Sequence, residues 1–215
     1  SGNLAITIDT TAPAAPGTPD MTTGTDLGVS SSDNITSDST PNFTMSCTGT
    51  DTITLTQGAT TIGTGTCAGG TVTITSSSLS DGTYSVTATQ TDAAGNVSAS
   101  SSALSVTIST SVPTISSLTP TGNASGLTGT TNLTAVFSQA VQPMTGTITI
   151  KTVSDNATVE TIDVTSLQVT GGGTTTITID PSVTLSLDVA YYVLIDATAF
   201  DSTSGVDFAG ISLST

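Results

Sequence analysis

The chain has 215 residues, enough for one large domain or two small ones. Sixteen acidic residues face a single base, Lys151, for a formal net charge of −15, and there is no His or Trp. That balance excludes a basic nucleic-acid interface and attraction to an anionic membrane, and it leaves no imidazole for general-base chemistry.

Ser and Thr make up over a third of the chain, and its apolar residues are mostly Val, Ile and Leu set in alternation. This argues for an ordered all-β protein with small cores, since β-branched Thr suits the exposed face of a strand. The crowded carboxylates repel one another and the chain has only Lys151 to offset them, so bound metal ions are the simplest compensation. No signal peptide or membrane-length apolar run is present. The sequence reads as a mature segment whose targeting information lies elsewhere.

The first pattern in chain order is Leu4-Ala5-Ile6-Thr7-Ile8-Asp9-Thr10-Thr11-Ala12-Pro13, a short strand running into a Pro-rich linker. It returns at an offset of 100 residues as Leu104-Ser105-Val106-Thr107-Ile108-Ser109-Thr110-Ser111-Val112-Pro113. Such a repeat signals an array of similar units. Residues 1 to 9 are expected to be the last strand of a preceding unit or a donor strand. Residues 14 to 40, rich in Gly, Ser, Pro and Asp, read as one long acidic loop. Strands are then predicted at 42–47, 52–56, 60–64, 71–75, 84–90 and 103–108, broken by Gly and Asp at the spacing of a sandwich.

Between the last two of these strands lies Thr91-Asp92-Ala93-Ala94-Gly95-Asn96. Gly95 supplies a positive φ, and Asp92 and Asn96 can bond the turn backbone. The same side chains are a compact set of oxygen ligands, and both readings stand.

The second half repeats the rhythm with strands predicted at 114–118, 132–137, 146–151, 158–164, 174–179 and 191–197. Leu79 precedes Tyr84 by five positions and Leu187 precedes Tyr192 by five. Each Tyr opens a strand that ends in an acidic Gly turn, Asp92 to Gly95 in one half and Asp201 to Gly205 in the other. A tyrosine corner fits both, its hydroxyl tying the preceding loop to the strand; two ordinary half-buried tyrosines are the alternative. The cysteines Cys47 and Cys67 leave no odd thiol and suit a disulfide in an oxidising compartment, with two buried free thiols as the alternative.

Residues 9 to 113 resemble a bacterial Ig-like domain of long, repetitive surface adhesins. The matching text is Ile8 to Pro13, the acidic loop Asp26 to Thr36, Leu79 to Tyr84, and Thr91 to Asn96. Residues 113 to 215 resemble a different bacterial Ig-like type, found in surface and S-layer proteins, through Val136 to Val141, Tyr191 to Val193 and Ala199 to Gly210. The 20-residue cysteine spacing does not suit the inter-sheet bridge of antibody domains. The resemblance implies calcium at the end of such domains, stiffening the linker. Carried over, its ligands are Asp9 from the linker, Asp26 and Asp33 from the acidic loop, and Asp92 with Asn96 from the turn, all expected at one end of the sandwich. Ser109 stands where Asp9 stands in the first linker. Asp201 and Asp207 are a further oxygen pair, or a solvated turn.

Other chemistry is weakly signalled. Lys151 with Glu160, the only Glu, has the residues for an isopeptide bond, but a lone exposed strand lysine is the simpler reading. Thr-x-Thr runs such as Thr71-Val72-Thr73-Ile74-Thr75 resemble ice-binding faces, yet strand alternation in a Thr-rich chain produces them unaided.

The sequence therefore predicts two tandem Ig-like β-sandwiches, 10–112 and 113–215, and no enzyme. The function it implies is a structural extender of a secreted, calcium-stiffened cell-surface adhesin. The alternative is a subunit of an extracellular filament or S-layer assembled by strand exchange. Partners are neighbouring Ig-like domains or copies of itself. By comparison with the first, the second domain is expected to lack most or all of its final strand, which the strand Leu4 to Ile8 of another copy could replace; the alternative is that the two ends reflect where a longer repeat protein was cut.

Overall fold

The computed structural model describes residues 7–121 and 131–212, and every regular element among them is a β-strand. The chain divides into two units, Ser1–Thr110 and Ser111–Thr215.

In the first unit, β1 (Asp20–Met21), β3 (Asn42–Ser46) and β6 (Thr71–Thr75) form a three-stranded sheet in the order β1-β3-β6. The second sheet runs β2-β8-β7-β4-β5, built from β2 (Ile35–Thr36), β4 (Thr52–Gln57), β5 (Thr60–Thr66), β7 (Gly82–Thr91) and β8 (Leu104–Ile108). All pairings are antiparallel except β2 on β8. The alternation predicted from sequence is what buries Phe43, Met45, Ile53, Leu55, Val72, Ile74, Val86, Ala88, Val106 and Ile108 in one core, while the intervening Thr residues face outward.

β5 lies close to the opposite sheet because Gly63 and Gly65 carry no Cβ. A methyl group at Gly63 would stand 2.6 Å from Ile74 Cγ2, and one at Gly65 would stand 2.8 Å from Val72 Cγ2.

The second unit has β9 (Ile115–Thr119), β10 (Leu133–Pro143), β11 (Thr147–Thr152), β12 (Thr158–Asp163), β13 (Val169–Thr170), β14 (Thr174–Ile179), β15 (Tyr191–Ile195) and β16 (Phe200–Ser202). One sheet is β12-β11-β15. The other is β13-β14-β10-β16, with β9 also on β10. The long β10 takes β9 beside Thr134 to Phe137 and β16 beside Val141 to Pro143. Three of the four Phe residues meet in this core: Phe137 lies 5.5 Å from Phe200 and 5.2 Å, edge-on, from Phe208. Beyond β16, Ile211 forms an antiparallel bridge with Ile195 of β15.

Several expectations need correction. The acidic stretch 14–40 holds β1 and β2, each two residues long, which carry no period for a sequence pattern to show. β13 is hidden for the same reason. Asp201 lies inside β16, and the turn that follows runs from Ser202, with Gly205 at φ 83°. The expected strand 4–8 falls partly outside the described residues; Thr7 and Ile8 belong to no strand.

Candidate functional site

The Asp92 turn closes as the sequence suggests. Asp92 Oδ1 accepts from the amides of Ala94 and Asn96, each at 2.9 Å. Gly95 takes φ 91° and donates its amide to the Asp92 carbonyl. The Asn96 side chain points its Nδ2 between two oxygens, 2.9 Å from Asp92 Oδ2 and 3.2 Å from the Asp9 carbonyl. The amide nitrogen thus holds the linker to the turn where the sequence reading placed a cation. Hydrogen bonds from Asn96, first its side chain and then its backbone, hold the Asp92 carboxyl below the usual carboxylate range.

Asp26 and Asp33 lie elsewhere. β2 runs beside the end of β8, with Ile35 opposite Thr107 and Thr36 opposite Ile108. Ile108 in turn faces Gly82, the first residue of β7. Asp92 follows the last residue of that strand. β7, at about 3.3 Å per residue, spans on the order of 30 Å, so the five expected ligands fall into two groups at opposite ends of the sandwich. The expected single site made from Asp9, Asp26, Asp33, Asp92 and Asn96 within one unit is therefore not what the topology allows. The reason is β1: its pairing with β3 carries the chain down the length of the sandwich before the acidic loop begins.

The acidic loop has its own geometry. Asp26 is only 3% exposed. Its Oδ2 accepts the Asn34 amide at 3.2 Å, while its buried Oδ1 has no hydrogen-bond partner. Thr36 holds the floor of the loop, donating to the Thr25 carbonyl at 2.6 Å and accepting from the Leu27 amide at 3.2 Å. Burial pushes the Asp26 carboxyl up, and the charges of Asp33 and Asp20 add to it against the amides of Asn34 and Ile35. Asn34 accepts φ 60°, a conformation Asn tolerates, and this turns the loop back on Asp26. Asp33 Oδ1 accepts from the Ile35 amide. An orphaned, buried carboxylate oxygen that feels the charges of Asp33 and Asp20 is chemistry that suits a hard cation. Among the described residues no three acidic side chains converge as a ready metal centre. Asp20 was not singled out from sequence; it stands on β1, too short to be legible.

The remaining candidates find local duties. Cys47 and Cys67 form a disulfide. It leaves the end of β3 in one sheet and the end of β5 in the other, so it does join the two sheets, though not by the antibody spacing. Tyr84 donates its hydroxyl to the Ser80 carbonyl at 2.8 Å, a tyrosine corner. In the second unit the corner falls to Tyr191, whose hydroxyl accepts from the Ser186 amide at 2.9 Å, while Tyr192 reaches Asn156. Glu160 is occupied as a loop anchor: it accepts from Gln168, from the amide and hydroxyl of Ser182 and from the Val183 amide, and so is not poised beside Lys151 for isopeptide chemistry. Gln90, fully buried, ties Thr48 and Asp51 to the end of β7. Its inward parity with Val86 and Ala88 was the available signal.

The two family matches agree with this architecture. One bacterial Ig-like domain family matches residues 11–110 and a second bacterial Ig-like domain family matches residues 109–213. No curated protein matches the chain. Among solved structures, the fibronectin(III)-like modules of Clostridium thermocellum CbhA are 15% identical, with a TM-score of 0.34 over 95% of this chain and 90% of that one. The BSP domain of a biofilm associated protein is 14% identical, with a TM-score of 0.29 over 93% of this chain, which spans 30% of that one. The chain is a tandem of two bacterial Ig-like domains drawn from two different families of that type.

Proposed function

We propose that the chain is a structural extender segment of an extracellular, cell-surface adhesin, and that calcium bound at the acidic loop of the first unit sets its rigidity. Tandem Ig-like domains of this kind suit a spacing role. The observation that carries the calcium reading is Asp26, nearly fully buried with Oδ1 unpartnered, on a loop that also carries Asp33. Calcium would supply the positive charge that the loop lacks. Asp26 and Asp33 would hold it, and Thr36 and Asn34 keep the loop in shape around them. The Asp92 turn belongs to the other end, where its hydrogen bonds already tie down Asp9 through Asn96.

The test is a melting series in calcium and in chelator. Extracellular calcium modules bind with Kd on the order of 10⁻⁴–10⁻³ M, so a few millimolar calcium should raise the melting temperature of the first unit. Asp26→Asn and Asp33→Ala should abolish that rise. Asp92→Ala should lower the melting temperature equally with and without calcium, because it removes turn hydrogen bonds rather than a ligand. Identical curves for the unaltered chain in calcium and chelator would remove calcium from the reading.

A further inference from the structure

Six Asn-x-Ser/Thr triplets occur in the chain, at Asn34, Asn42, Asn96, Asn123, Asn132 and Asn156. In a chain this rich in Ser and Thr the third position fills by chance, so the triplet alone selects no acceptor for an N-linked sugar. The fold does select. A glycan is bulky and solvated, so it needs an Asn whose Nδ2 faces water, and the enzyme that attaches it must also reach the hydroxyl two residues on.

Four of the described triplets fail this requirement. Thr36, two residues after Asn34, is fully buried and spends its hydroxyl on the Thr25 carbonyl. Asn42 stands in β3 between β1 and β6, its Oδ1 bonded to Thr75, and Phe43 beside it is fully buried. Asn96 has committed its Nδ2 to Asp92 and to the Asp9 carbonyl, and Ser98 is buried. Asn132 is exposed, but Thr134 is held inside β10, between Thr119 of β9 and Thr178 of β14. Asn123 lies outside the described residues.

Asn156 meets the requirement in full. It stands in the turn between β11 and β12 at φ 61°, and every residue from 153 to 158 is exposed. The turn is closed by its own backbone: Thr152 donates its amide to the Ala157 carbonyl at 3.0 Å, and Ala157 donates its amide to the Thr152 hydroxyl at 3.1 Å. The Tyr192 hydroxyl, reaching across from β15, donates to Asn156 Oδ1 at 2.7 Å. That bond fixes which end of the amide turns inward, and no group among the described residues engages Nδ2. Thr158 opens β12, the outer strand of its sheet, so the backbone beyond Asn156 is paired on one side only.

We propose that Asn156 is the acceptor of an N-linked glycan, supplied by a glycosyl diphosphate. Nδ2 attacks C1 of the sugar. The C1–O bond to the diphosphate breaks, its electron pair leaves with the diphosphate oxygen, and Nδ2 gives up one proton to the transferase. The product keeps Oδ1 as an acceptor, so the Tyr192 bond survives and the sugar projects from the turn into water. The acceptor belongs to the second unit and the acidic loop to the first, so glycosylation does not depend on calcium.

The diphosphate comes from one of two sources, a nucleotide or a lipid, and two arms separate them. The folded, unmodified chain is incubated with a soluble N-glycosyltransferase and nucleotide-linked glucose, or with a membrane oligosaccharyltransferase and a lipid-linked oligosaccharide. An Asp-specific protease then releases residues 155–162, whose only Asn is Asn156, for mass spectrometry. The same peptide is taken from the chain isolated from its native cells. The sugar is expected on the native peptide and in at least one arm, which names the donor. Thr158→Ser should keep it, and Thr158→Val and Asn156→Gln should each lose it. Thr158 is exposed on an edge strand, so its substitutions leave the fold in place and loss there reports recognition. A bare Asn156 from native cells, or no reaction in either arm, overturns the proposal. So does a sugar at Asn34, Asn42, Asn96 or Asn132 in place of Asn156, or equal modification of the Thr158→Val chain.

Discussion

The two sandwiches solve the same problem with different materials. The first has one buried Phe, a disulfide between its sheets and β8 closing the edge of β7. The second has no cysteine, a trio of packed Phe rings and an edge on β15 that only Ile211 covers among the described residues. A small core can be secured by a cross-link that restricts the unfolded chain or by aromatic area that removes water from the folded one. The choice determines which perturbations each unit feels.

The largest expected effect breaks the second unit alone. Phe200 is fully buried against Phe137, and Phe200→Ala should cost about 3–5 kcal/mol, with unit-resolved hydrogen exchange showing the first unit unchanged. Next comes the converse. Cys47 and Cys67 are 20 residues apart, and removing the bridge by Cys47→Ser with Cys67→Ser should cost the first unit roughly 3 kcal/mol in the chain-entropy estimate. Alkylation of two thiols in the native, unreduced protein would contradict the bridge itself. Equal loss in both units, from either change, would contradict their independence.

The smallest effect is electrostatic and has opposite signs at two carboxylates of the second unit. Burial, then the charge of Asp207 and a hydrogen bond with it, raise the Asp201 carboxyl above its ordinary 3.8. The folded state therefore holds that proton more tightly. Its contribution is fully present below pH 3.8 and is lost as pH rises through the raised folded value. Asp163 is the reverse. The hydroxyl and then the amide of Thr165 lower it, so its contribution is present above pH 3.8 and is lost as pH falls through the lowered folded value. Asp201→Asn should stabilise the second unit at neutral pH, with the gain shrinking in acid. Asp163→Ala should destabilise it at neutral pH, with the loss shrinking in acid. Denaturant titrations at pH 7 and pH 3 that give the same differences would refute both assignments.

The period-2 alternation of Thr with Val, Ile and Leu was enough to locate the longer strands and to name most of the core, because side chains on a strand point alternately to two faces whatever the strand pairs with. The Asp92 turn and the Tyr84 corner were also legible, since their partners lie within four residues. The cysteine count likewise pointed to the bridge. Where each carboxylate sits was not legible. Asp26 and Asp92 look alike as acidic loop residues, yet two residues of β1 and two of β2 place them at opposite ends of one sandwich. The same holds for Tyr191 and Tyr192, adjacent in sequence, of which only packing chooses the corner. Alternation and tight turns depend on neighbours along the chain, whereas strand order and the burial of Asp26 depend on pairings between segments tens of residues apart, which no local pattern records.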